Sequence, residues 1–178
     1  MNRRTFLAIF FATPLAAPLA GCNTDGTPIM APATFLADLS AAVAGVRSML
    51  ANPLVASLVP AGQAETVADN LTLAQSGLAT VTAVLNQSPR ADLSTLAGVL
   101  QEADTAIRAV LAVLSGIALP DGLGPILMAV STVLDLIEPT INAAIVKAFG
   151  TQPVKVAAAF PGTARMTADQ ARATLRGL

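Results

Sequence analysis

An all-α protein, folded as an antiparallel up-down four-helix bundle, is the expectation from three features of this 178-residue sequence. They are the kind of apolar residue it uses, the spacing of those residues, and the places where the spacing breaks. Hydrophobic residues make up 54% of the chain but aromatic ones only 3%, with no Trp, Tyr or His, so the apolar content is chiefly Ala, Leu, Val and Ile. Alanine and leucine lead the helix propensity scale. The spacing supplies the architecture: apolar residues recur at alternating steps of three and four through four stretches, the a/d seam of packed helices.

The first stretch runs Phe35, Leu39, Ala42, Val46 and Met49. Pro53 and Pro60 interrupt its end, leaving a short separate turn through 54–58. The second follows Val67, Leu71, Ala74, Leu78, Val81 and Leu85. Ser88 before Pro89 predicts an N-cap with proline at the first helical position. The third stretch runs Leu93, Leu96, Leu100, Ala103, Ile107, Val110, Leu114 and Ile117, with its charges Asp92, Glu102, Asp104 and Arg108 off the seam. Asp104 and Arg108 are spaced as an i,i+4 pair worth roughly 0.2–0.5 kcal/mol, which supports a helix without implying a site. Pro120-Asp121-Gly122 is turn chemistry. The fourth stretch runs Leu123, Leu127, Val130, Leu134, Ile137, Ile141 and Ile145. Pro139 lies within it and predicts a kink near Asp135, because proline removes one backbone donor. Gly150 suits a C-terminal cap after Phe149. Connections this short set neighbouring helices antiparallel, so residues 33–150 form the expected bundle. Residues 151–165 read as irregular, and Thr167-Ala168-Asp169-Gln170 as a capping box opening a short last helix to Arg176.

The residues before the bundle carry a different signal. Arg3 and Arg4 precede 5–20, a stretch without charge, and then come Leu19-Ala20-Gly21-Cys22, which hold the single cysteine of the chain. A basic n-region, an apolar h-region and small residues at a cleavage point make a signal peptide. The 16 uncharged residues would extend about 24 Å as a helix, against a hydrocarbon core about 30 Å thick. Pro14 and Pro18 interrupt them further, so a permanent span is not expected. The Leu19 to Cys22 sequence resembles the lipobox of bacterial lipoproteins. That resemblance implies cleavage after residue 21, a diacylglyceryl group on the Cys22 thiol, and acylation such as palmitate on the new amine. One acyl chain binds only reversibly, so stable anchoring takes two or three. Arg3-Arg4 with Phe6-Leu7 also resembles a twin-arginine export signal, although Asn2 replaces the usual Ser or Thr and Ala8 the usual Lys. Both the twin-arginine and the general export route remain open. The implied location is the bacterial cell envelope, with Asn23 leaning towards the outer membrane, facing the periplasm, if the host has two membranes. Residues 22–32 then read as a lipidated, flexible tether able to reach about 30 Å at roughly 3.3 Å per residue.

Loss of residues 1–21 leaves 157 residues, enough for one domain with a real core. It also leaves eight of the ten basic side chains against eleven acidic ones. With only Lys147 and Lys155 as lysines, and no basic cluster, nucleic acid is not an expected partner. Without histidine, no Ser-His-Asp or Cys-His arrangement exists, and no zinc site built from Cys and His. No glycine-rich phosphate loop is present. Asp135 and Glu138 lie one turn apart on one helix face; they could bind a cation, but a solvated face beside Ile137 is the plainer reading. No metal, cofactor or catalytic residue is expected, and the chain does not read as an enzyme.

Two uncharged stretches, 109–120 and 122–134, read either as the most buried part of the bundle or as an apolar surface. Ala109, Ala112, Ser115, Gly116 and Ala118 would permit close approach of another helix. The functional expectation is a membrane-anchored structural or protein-interaction module. It would meet lipid through acylated Cys22 and meet an envelope protein or a second copy of itself through its helices. The alternative is a helical bundle that holds a lipid or other hydrophobic ligand.

Overall fold

Proline, glycine and short polar side chains set the helix ends within residues 30–150 and 166–178, the part of the chain that the computed structural model describes. Helix α1, Pro32–Leu50, opens with proline in its first turn, where a missing N–H costs nothing. Helix α2, Pro53–Leu58, is the short turn expected between the two prolines; Asn52 caps it by accepting a hydrogen bond from the Leu54 N–H at 3.0 Å. Helix α3, Ala61–Gln87, begins well before Val67. A 3-10 turn, Leu93–Leu96, leads into α4, Ala97–Ser115. Helix α5, Gly124–Phe149, runs without interruption through Pro139 and ends at Gly150, whose φ of 67° is the left-handed conformation that favours glycine. Helix α6, Ala168–Arg176, carries the expected capping box: Gln170 Oε1 accepts from the Thr167 N–H at 3.0 Å, and Thr167 Oγ1 from the Gln170 N–H at 3.3 Å.

One predicted boundary is corrected. Ser88 does not cap the third stretch; it closes α3, its N–H donating to the Val84 carbonyl at 2.9 Å. The cap belongs to Asp92, whose carboxylate accepts from the Ser94 N–H at 3.0 Å. A carboxylate is the stronger acceptor, and Pro89 and Arg90 serve the turn between the helices.

The described residues are all-helical, with no strand among them. Helix α1 packs on α5 and α3, α3 on α4, and α4 on α5, while α6 lies against both α5 and α1. The core sits where the four seams meet. Phe35, Leu39, Val46, Met49, Val81, Leu100, Ile107, Leu114, Leu134 and Ile137 are buried, each side chain contributing roughly 1.5–3 kcal/mol relative to exposure. The seam positions Leu71, Leu78, Ile117, Leu123 and Leu127 are half-buried and pack against that core.

Close approach depends on two glycines. A Cβ on Gly45 of α1 would fall 2.5 Å from Val130 Cγ2 and 2.8 Å from Leu175 Cδ2, so this position admits α5 and α6 together. A Cβ on Gly77 of α3 would fall 2.9 Å from the Cβ of Ala103 in α4. Two contacts also fix the relative direction of α1 and α5. The Met30 N–H donates to Thr140 Oγ1 at 3.2 Å, and Gly45 meets Val130, so the helices are antiparallel.

Helices α1 and α5 are long and apolar enough to cross a membrane by length and composition alone. Buried residues make up 44% and 50% of their most apolar windows. The uncharged stretches are not uniformly interior. Leu111, Leu114, Ala129 and Val130 are buried, whereas Ala112, Ser115, Gly116 and Ala118 are exposed.

Candidate functional site

The residues expected to carry attachment, Arg3, Arg4, Leu19, Ala20, Gly21 and Cys22, lie outside the described residues. The structure instead positions the first described residue, Met30, where the chain enters the folded domain. Met30 is held on Thr140, which is buried one residue beyond Pro139 in α5. Helix α1 begins two residues later. From Thr140, α5 continues for nine more residues to Phe149, about 14 Å at roughly 1.5 Å each. This extension runs past the start of α1, because the two helices are antiparallel. Its end carries Val146 and Phe149, three residues apart on one face and 37% and 57% exposed. Between them, Lys147 forms an ion pair with Asp92 at the start of the 3-10 turn. Hydrogen bonding from Lys147, and then from the Ser94 N–H, lowers the Asp92 pKa from 3.8 to about 2.

Away from this end, the charges that read as scattered along the sequence converge. Arg108, only 7% exposed, projects from α4 towards α5. Its Nε lies 3.0 Å from both Asp104 oxygens, its Nη2 3.2 Å from Glu138 Oε2, and its Nη1 3.6 Å from Asp135 Oδ1. The solvated face expected at Asp135 and Glu138 is present in part, their side chains being 60% and 32% exposed, but the cation beside them is one the sequence did not reveal, the Arg108 guanidinium. One cation faces three anions, and burial and charge pull against each other there. Burial pushes the Asp104 pKa up, Glu138 and Asp135 add to that, and Arg108 opposes it. Burial acts to lower the Arg108 pKa, but the carboxylates, Asp104 first, outweigh it and raise it. Among the described residues, no group of three His, Cys, Asp or Glu could hold a metal ion.

A second cross-helix pair fastens α6. Asp38 of α1 is 4% exposed and accepts two hydrogen bonds from Arg172, at 2.9 and 2.6 Å. The bonds to Asp38 hold the Arg172 pKa above its ordinary value. Neither residue stood out in the sequence. A signal was nevertheless present: Phe35, Asp38, Ala42, Gly45 and Met49 form a second three-and-four stripe along α1, and α6 meets it at Asp38 and Gly45.

Seven described hydroxyls are committed to main chain. Thr72, Thr80, Thr82 and Thr174 donate to carbonyls four residues earlier in their own helices, and Ser57, Thr95 and Ser115 to carbonyls three earlier. Back-bonding of this kind satisfies a hydroxyl within its helix. It leaves the exposed side of α3, with Leu73 half-exposed, free of charge from residue 70 to its end. Neither a protein-family model, nor a curated protein, nor a solved structure matches the chain.

Proposed function

We propose that this chain is an exported lipoprotein, anchored in the cell envelope through acyl chains on Cys22. Its folded part, an antiparallel up-down four-helix bundle with a short added helix, acts as a structural or protein-interaction module. The observation that carries the reading is Leu19-Ala20-Gly21-Cys22, placed after a basic start and an uncharged stretch and holding the one cysteine of the chain. The bundle is supported by the packing of each long helix on the next, α1 on α3, α3 on α4, α4 on α5 and α5 back on α1. An interaction role is supported by the committed polar groups. Arg108, Asp38, Thr72 and Thr80 all bond within the fold, while Leu54, Leu58 and Leu73 remain exposed to meet something outside it.

Metabolic labelling with palmitate, comparing the natural chain with Cys22→Ala, tests the anchor. Label and membrane association should both be present in the natural chain and both be lost on substitution. A natural chain that takes up no label overturns the proposal.

A further inference from the structure

The end of the domain from which the tether leaves carries exposed apolar residues, Val146 and Phe149, and a membrane stands near it if Cys22 is lipidated. We infer that the Val146–Phe149 end of α5 sits on the lipid surface, so that the domain stands end-on with Leu54 and Leu58 of α2 held away from the membrane. This rests on the anchor proposed above and adds to it an orientation and a contact surface.

The lengths show which end lies nearer. Cys22 is eight residues before Met30, and eight residues extend at most about 26–29 Å at roughly 3.3–3.6 Å each. Met30 is fixed on Thr140, and Phe149 lies about 14 Å further along α5 at roughly 1.5 Å per residue. The tether is thus long enough for the membrane to lie at the level of Phe149. At the other end, the 19 residues of α1 alone extend about 29 Å before Leu54 is reached, the full stretch of the tether or more. A bilayer that holds Cys22 meets Phe149 with the tether slack, and meets Leu54 only with the tether doubled back at full stretch.

The chemistry of the end agrees. Val146 and Phe149 share one face and are exposed, and Gly150 turns the chain at once beyond them. Lys147, 66% exposed, lies about 100° round the helix from Val146 and on the far side from Phe149, paired with Asp92, so the apolar face carries no charge of its own. An exposed apolar pair at a helix end suits the boundary between acyl chains and headgroups.

The absence of Trp and Tyr makes the test direct, because one introduced tryptophan is the only such reporter in the chain. Phe149→Trp, Val146→Trp and Leu54→Trp are made separately in the full chain, each with Cys22 and with Cys22→Ala. All are mixed with vesicles of phosphatidylethanolamine and phosphatidylglycerol containing brominated acyl chains. With Cys22 present, Phe149→Trp and Val146→Trp should emit at shorter wavelength and be quenched, while Leu54→Trp should be unaffected. Vesicle flotation reports the anchor independently. Chains that float but leave the α5 tryptophans unquenched, or quench Leu54→Trp instead, overturn the end-on contact and leave the anchor standing. A blue shift at Phe149→Trp without quenching, growing with protein concentration, indicates contact between copies and also overturns it. Loss of flotation in every form overturns the anchor and this inference together.

Discussion

Gly77→Ala should weaken the fold even though alanine is the better helix former. The added Cβ would lie 2.9 Å from the Cβ of Ala103, where two carbon atoms prefer about 3.5–4.0 Å. Ala103 is fully buried, and its methyl group is fixed to the backbone and cannot rotate aside. The shortfall has to be met by separating α3 from α4. Overpacking of this kind costs about 1–3 kcal/mol, and the helix-propensity gain of alanine over glycine returns about 0.8–1.0 kcal/mol in a helix interior. The net is a loss of up to about 2 kcal/mol, the difference between that cost and that gain. Gly62 in the first turn of α3 has nothing within 4 Å of an added Cβ, so Gly62→Ala should be neutral or stabilising. The decisive comparison adds Ala103→Gly, which removes the opposing methyl. In that background Gly77→Ala should become favourable, giving a coupling of about 1–3 kcal/mol between the two positions. Urea unfolding followed by far-UV circular dichroism measures all four forms. If Gly77→Ala stabilises the natural background as much as the Ala103→Gly background, the reasoning from close helix approach is wrong.

Arg108→Met should cost about 3 kcal/mol near neutral pH, because Asp104, Asp135 and Glu138 lose the cation among them. The Asp104 pKa is already raised above 3.8 in the folded protein, so folding there favours the protonated form. Arg108 opposes that rise, so Arg108→Met raises the Asp104 pKa further; the stability regained as pH falls through the folded pKa towards 3.8 is then larger in the variant, and its deficit should narrow from neutral pH towards 4. Urea midpoints across that range check this; a deficit that stays level or widens on acidification sinks it. For the pair that fastens α6, Arg172→Met should be more damaging than Asp38→Ala. The Asp38 side chain is 5% exposed and the Arg172 side chain 25%, so the carboxylate is the partner that cannot turn to water. Hydrogen exchange should show α6 opening sooner in Arg172→Met than in Asp38→Ala, and the opposite order would contradict the assignment.

Much of the fold was legible because apolar burial alone decides the seam positions. Burial of Phe35, Leu100 or Ile137 does not depend on which helix lies opposite, so an alternation of three and four is enough to find it. The charged contacts were less legible because they depend on the partner. Asp104 and Arg108 each follow a seam residue directly, Ala103 and Ile107, and Asp135 and Glu138 follow Leu134 and Ile137 in the same way. Such flanking positions face water on a lone helix and face each other once α4 packs on α5. Nothing within one helix distinguishes those cases. The Ser88 boundary failed for a local reason: two acceptors, Ser88 and Asp92, stood within four residues, and the one adjoining proline was not the one used. The candidate contact surface was hidden as well. The exposure of Phe149 follows from α5 running past the start of α1, and that depends on how the two helices are offset.

The clasp between Asp38 and Arg172 spans 134 positions of chain. During synthesis, α1 is made long before its counter-charge, so until Arg172 emerges the one carboxylate of α1, Asp38, lacks this partner. A chain halted before that point would carry an uncompensated anion on the surface that α6 is meant to cover. Closing this face of the domain is thus tied to reaching its last helix.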